Sequence, residues 1–160
     1  MAIKNHINRL SVPRILTPVA LAIVLAACSS TPSSTKTVDI TGGPIKPADT
    51  YLKQADNSTG VEQNDLYIMA LKAAVKENNV ARANLLLIRL AKQNLNESQL
   101  AEWQLARARL LLNRNQDDAA LKQFTFAPWW KLPDAQWHSF YRTRADIFTG
   151  LNRWLEASRA

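Results

Sequence analysis

Three segments of the chain, LKAAVKENNVARA at residues 71–83, ARLLLNRNQDDAA at 108–120 and ADIFTGLNRWLEA at 145–157, are versions of one pattern. Ala83, Ala120 and Ala157 are spaced by 37 and 37, and so are Asn78, Asn115 and Asn152. Leu71, Ala108 and Ala145 fall twelve residues before each of those alanines. Three columns in register define a repeat whose physical sense is a helical hairpin. Small residues let its two helices approach, and Asn accepts the left-handed backbone of the tight turn between them. The sequence therefore predicts an all-α solenoid of helical hairpins, with the alanines packing and the asparagines turning.

The unit resembles the tetratricopeptide repeat, whose usual period is about 34 residues. The added residues fit in the connections, around Gln93 to Asn96 and Pro128 to Pro133. Hairpins are expected at 60–93, 97–127 and 134–160, about two and a half tetratricopeptide-like repeats, preceded by a short capping helix from Ala48 to Asp56. Thr59 with Glu62, and Asn96 with Gln99, have the spacing of capping boxes, and Pro133 with Asp134 opens a third start. After Asn96 there are two apolar stripes, one of Leu100, Trp103, Ala106 and Leu110 and one of Leu105, Ala108 and Leu112. A helix with two stripes is sandwiched between neighbours. Stacked repeats need roughly three units and a polar end, whereas the third hairpin reaches Trp154, Leu155 and Ala157 with an apolar face begun. The sequence reads as a piece of a longer protein.

Upstream, Lys4, Arg9 and Arg14 precede an apolar run from Ile15 to Ala27, with no acid in the leader. This is the layout of an export signal, and 13 apolar-region residues fall short of the roughly 20 that span a bilayer. The sole cysteine, Cys28, follows Leu25-Ala26-Ala27 and resembles a lipoprotein lipobox, in which the thiol is acylated and becomes the new N-terminus. The expected organisation is a signal peptide at 1–27, a lipidated flexible tether at 28–47 and a helical domain at 48–160. Ser29 after the lipidated cysteine, where Asp would resemble an inner-membrane retention signal, points by analogy to the outer membrane, periplasmic face. Three of the 20 Lys and Arg and none of the 13 acids lie in the leader, so the net charge falls from +7 to +4 on cleavage. A mildly basic surface without dense clusters gives no nucleic-acid footprint.

Catalytic chemistry finds little support. Beyond the leader there is one histidine, His138, and no thiol other than Cys28, which argues against a zinc site or a nucleophile system. No glycine-rich phosphate loop is present, and no cofactor, metal or small-molecule substrate is expected. Glu97-Ser98 superficially matches the catalytic pair of lytic transglycosylases, but Gln99-Leu100-Ala101-Glu102 does not continue that pattern, and an acid in the first turn simply suits the helix dipole. Trp129, Trp130 and Trp137 crowd the second connection together with Phe124, Phe126 and Tyr141. They wedge the longer connection or, in Trp129 and Trp130, offer a partner surface.

The lipobox, the polar tether, Tyr51-Leu52-Lys53-Gln54-Ala55, the stretch Met69 to Glu77 and the hairpins together resemble the N-terminal part of the LpoA family. Members are lipoprotein activators of a class A penicillin-binding protein. The resemblance implies a non-catalytic regulator of peptidoglycan synthesis, anchored in the outer membrane by lipid on Cys28, with that synthase as its partner. It also implies that a larger domain similar to periplasmic binding proteins follows the helical one. The alternative is a helical-repeat scaffold lipoprotein for envelope assembly or hydrolase recruitment.

Overall fold

Each repeated asparagine closes the same backbone turn. Asn78, Asn115 and Asn152 have φ of 53°, 55° and 56°, and no other non-glycine residue described here has positive φ. The N–H groups of Asn79, Gln116 and Arg153 donate to the carbonyls of Ala74, Leu111 and Phe148, and those of the asparagines to Val75, Leu112 and Thr149. This double bond pattern is the Schellman motif, which satisfies two carbonyls left open at a helix end. Donors and acceptors both advance by 37 residues, so the turn and the repeat are one device. Asn115→Ala is expected to lower stability by about 1 kcal/mol, because alanine lacks the short polar side chain through which asparagine tolerates the left-handed region, while Asn115→Gly stays near neutral. Thermal unfolding of the two variants checks this.

The computed structural model describes residues 38–125, 132 and 134–160. The helices are α1 Ala48–Ala55, α2 Gly60–Lys76, α3 Val80–Leu90, α4 Glu97–Leu112, α5 Asp117–Thr125, α6 Trp137–Gly150 and α7 Trp154–Ala157. A 3-10 turn at Asp134–Gln136 leads into α6. No strand occurs among the described residues, and none of these helices is long and apolar enough to cross a membrane. Hairpins α2–α3, α4–α5 and α6–α7 stack so that α2 meets α4 and α4 meets α6, with α1 laid on α2.

Helix α4 is sandwiched. Its Ala106 and Leu110 join Leu71, Ala83, Leu86 and Leu90 in one core, while Ala101, Leu105 and Ala108 join Ala120, Phe124, Phe140 and Ile147 in the next. Ala83, Ala108 and Ala120 have no exposed surface. Ala145 and Ala157 are only half-buried, because no described helix packs beyond α6 and α7, where Trp154 and Leu155 are 62% and 72% exposed. The described aromatics wedge α5 against α6. Phe124 stacks on Phe140 at 4.8 Å, Trp137 meets Phe140 edge-on at 5.2 Å, and Tyr141 lies against Trp137 at 5.4 Å.

Two expectations need correction. Asn96 and Gln99 form a complete capping box, but Thr59, although it is the N-cap of α2, makes no side-chain cap bond. Gly60 follows with φ of 63°, so the first residue of α2 departs from the right-handed backbone on which a capping box is built. The flexible tether assigned to 28–47 does not extend to Pro47. Ile40 is buried with α1 and α2, Val38 packs beside it, and the Ile45 N–H donates to the Tyr51 hydroxyl at 3.1 Å. Few apolar residues in a Ser- and Gly-rich stretch disguise a strap held by one isoleucine and by hydrogen bonds.

Candidate functional site

The first helices of the hairpins, α2, α4 and α6, line a groove of about 810 Å³. Gly43 and Pro44 of the N-terminal strap line it, as do Asn115 of the second turn and Asp117 at the start of α5. Its charged walls are Lys72 and Lys76 from α2, Glu102 and Arg109 from α4, and Arg142 and Asp146 from α6. The 37-residue register decides this composition, since Lys72, Arg109 and Asp146 occupy one column and Glu102 and Ser139 share another.

A ladder of buried polar contacts, which shares Glu102 with the groove, repeats from one hairpin interface to the next. Gln99 donates its side-chain amide to the Val61 carbonyl at 3.2 Å and to Asp65 Oδ1 at 2.7 Å. Gln136, thirty-seven residues on, donates to the Ser98 carbonyl at 2.9 Å and to Glu102 Oε1 at 3.1 Å. Every donor and acceptor has moved by one repeat. Asn113 adds a bond from Nδ2 to the Val75 carbonyl at 3.0 Å. Buried polar groups bonded in this way fix the register of stacked helices, which apolar surfaces alone leave free to slide.

The ladder differs at one rung. Gln99 Oε1 accepts the backbone N–H of Asn96 at 3.1 Å, whereas Gln136 Oε1 is buried without a partner among the described residues. The sequence explains the difference: position 133, one period after Asn96, is proline, which has no N–H to give.

At the centre lies a buried ion pair. Lys72 Nζ donates to Glu102 Oε2 at 2.7 Å and to the Ile40 carbonyl at 2.6 Å, with the two side chains 9% and 2% exposed. One ammonium thus joins α2, α4 and the strap. Desolvation raises the Glu102 carboxyl above its ordinary range, against the opposing pull of Lys72, Gln136 and Arg109. Asp65 is raised in the same direction, chiefly by burial, with Gln99 pulling it down and Glu62 pushing it up.

The residues singled out in the sequence lie mostly away from this groove. Cys28, Trp129 and Trp130 fall outside the described residues. Ala83, Ala120 and Ala108 lie in the cores, and only Asn115 among the turn asparagines reaches the groove. Glu97 opens α4 in its first turn, and His138 is exposed on α6. No group of three or more metal-ligating side chains occurs among the described residues. The groove residues Lys72, Glu102, Arg109 and Arg142 and the two ladder glutamines were missed. Extending the 37-residue register from the alanine columns to polar positions would have found Gln99 with Gln136 and Lys72 with Arg109.

Residues 43–160 match a family model described as LppC putative lipoprotein. The chain is 55% identical over 155 residues to the "Penicillin-binding protein activator LpoA" of Vibrio cholerae serotype O1 strain O395, covering 97% of this chain and 26% of that protein. It is 40% identical to the protein of that name from Photobacterium profundum, covering 95% of this chain and 25% of the relative. The chain therefore spans about a quarter of the length of these relatives. Among solved structures, the LpoA N-terminal domain from Haemophilus influenzae superposes with a TM-score of 0.60 at 21% identity, over 75% of this chain and 54% of that one. That likeness gives the helical fold.

Proposed function

We propose a function from the premise that the chain belongs to the LppC family of putative lipoproteins: it is the helical part of an outer-membrane lipoprotein that activates a class A penicillin-binding protein. The observation that carries the reading is identity of 55% across 97% of the chain with a relative named as a penicillin-binding protein activator. The stacked hairpins, whose buried polar ladder is engaged in packing, are consistent with a non-catalytic role. Acylation of Cys28 would hold the protein on the membrane, since each buried methylene contributes about 0.8 kcal/mol.

Two measurements test this. Cys28→Ser should remove the protein from the outer-membrane fraction on a density gradient, whether or not the uncleaved leader then holds it in the inner membrane; retention in the outer-membrane fraction would overturn the lipid anchor. A chimera carrying this chain on the remaining three-quarters of the Vibrio cholerae relative should raise cross-linking by a purified class A synthase in detergent. No stimulation, with the chimera folded and the native relative active, would overturn the activator role and favour the scaffold alternative.

A further inference from the structure

The column that pairs Lys72 with Glu102 continues into the next repeat without its acid. One period after Lys72 stands Arg109, and one period after Glu102 stands Ser139. Arg109 is half-buried and held in place: its Nε donates to Thr143 Oγ1 at 3.1 Å, and that hydroxyl, which has no exposed surface, donates to the Ser139 carbonyl at 2.8 Å. Its two terminal nitrogens have no hydrogen-bond or ion-pair partner among the described residues. Arg142 lines the same groove close enough to depress the Arg109 pKa, an effect that follows burial and the opposing pull of Glu102, with Asp146 also favouring the charge. No carboxylate forms an ion pair with either arginine among the described residues.

We propose that Arg109 and Arg142 receive a single carboxylate of an extended peptide segment laid in the groove, in the place that Glu102 occupies beside Lys72 one repeat earlier. Both arginines line the groove, the terminal nitrogens of Arg109 are open to a ligand, and a planar guanidinium fork binds carboxylate through paired hydrogen bonds. Asp146 and Asp117 on the same walls select the class of ligand. A polyanion must pass both acids, whereas one carboxylate on an otherwise neutral chain meets only the arginines. The polar side chains of Ser139 and Thr149 suit peptide amides, and about 810 Å³ holds a short segment. The proposal stands independently of the activator reading.

The probe is a fluorescein-labelled hexapeptide with one central Asp, compared by anisotropy with its Asn counterpart at fixed ionic strength. The Asp peptide should bind at least about tenfold more tightly, as expected for a charge-assisted bond, and an excess of acetate at matched ionic strength should displace it only weakly. Arg142→Gln should remove most of that preference, Arg142→Lys should keep part of it, and Lys92→Gln, an exposed cation outside the groove, should leave it unchanged. Ser139→Glu restores the missing acid, and it should abolish peptide binding without lowering the melting temperature. Equal binding of the two peptides, no binding of either, or full binding by Ser139→Glu would overturn the proposal. If Ser139→Glu fails to fold, the Arg142→Gln comparison decides. Displacement by acetate as effective as by unlabelled peptide would replace the peptide with a small carboxylate.

Discussion

Replacing Lys72 by methionine is expected to cost about 3–5 kcal/mol at neutral pH, a large share of the roughly 5–15 kcal/mol that holds a domain folded. The side chain is nearly buried, and its ammonium meets Glu102 and the Ile40 carbonyl at 2.7 and 2.6 Å. Methionine fills the space but leaves a buried carboxylate with the Gln136 amide as its remaining side-chain donor and only the more distant pull of Arg109. The pH dependence follows from the direction of the Glu102 shift. Its folded-state pKa is raised, chiefly by desolvation, so the folded chain holds that proton more tightly than the unfolded one. The favourable contribution is complete below the unfolded carboxyl range and is lost as pH rises through the folded value. Losing Lys72 removes the largest influences that lower this pKa, so the window widens upward and the penalty grows with pH. Urea unfolding near pH 4.5 and 7.5 should show a small deficit at the first and the full one at the second. Lys72→Met combined with Glu102→Leu should recover most of the loss, since an apolar pair can replace a buried ion pair. A deficit equal at both pH values would assign it to the released strap instead.

The fold was legible in the sequence because the features that set it are local and repeated. Asn78, Asn115 and Asn152 mark turns through a backbone preference that needs no partner, and Ala83, Ala108 and Ala120 mark close approach through size alone. The two stripes after Asn96 announced a sandwiched α4, as the membership of Ala106 and Leu105 in different cores shows. The strap was illegible for the opposite reason. Ile40 is one apolar residue among polar ones, and its anchor, Lys72, lies 32 residues away. The groove was hidden by reading hydrophobic periodicity only. Gln99 and Glu102, each 1% exposed, sit on the buried face of α4, where that reading leaves gaps between leucines. Exposed polar residues drift freely in a solenoid, but a buried one needs its partner one hairpin away. A polar column that keeps the apolar period is therefore a packing signal.

The two rungs of the ladder should respond unequally to the same change, and the asymmetry tests whether the register is held by hydrogen bonds. Gln99→Leu removes donors from the Val61 carbonyl and Asp65 and an acceptor from the Asn96 N–H, breaking both an interhelical link and the capping box. With each stranded buried group costing about 1–3 kcal/mol, a loss of about 3 kcal/mol is expected. Gln136→Leu takes one donor from the Ser98 carbonyl, which keeps its helical bond within α4, and one from Glu102, which keeps Lys72, and it also removes the unpartnered Gln136 Oε1. Its cost should be about 1–2 kcal/mol. The larger loss should also vary with pH. Burial raises the Asp65 pKa and the Gln99 bond opposes that rise, so without Gln99 the folded state favours the protonated acid more strongly. Stability of Gln99→Leu should then decline further as pH rises above the ordinary carboxyl range, and the deficit against the parent should shrink on acidification. Equal costs at the two glutamines would mean that apolar packing alone sets the register. The larger cost at Gln99, smaller in acid, would mean that the ladder holds it, and that the proline at position 133 leaves the second interface the weaker of the two.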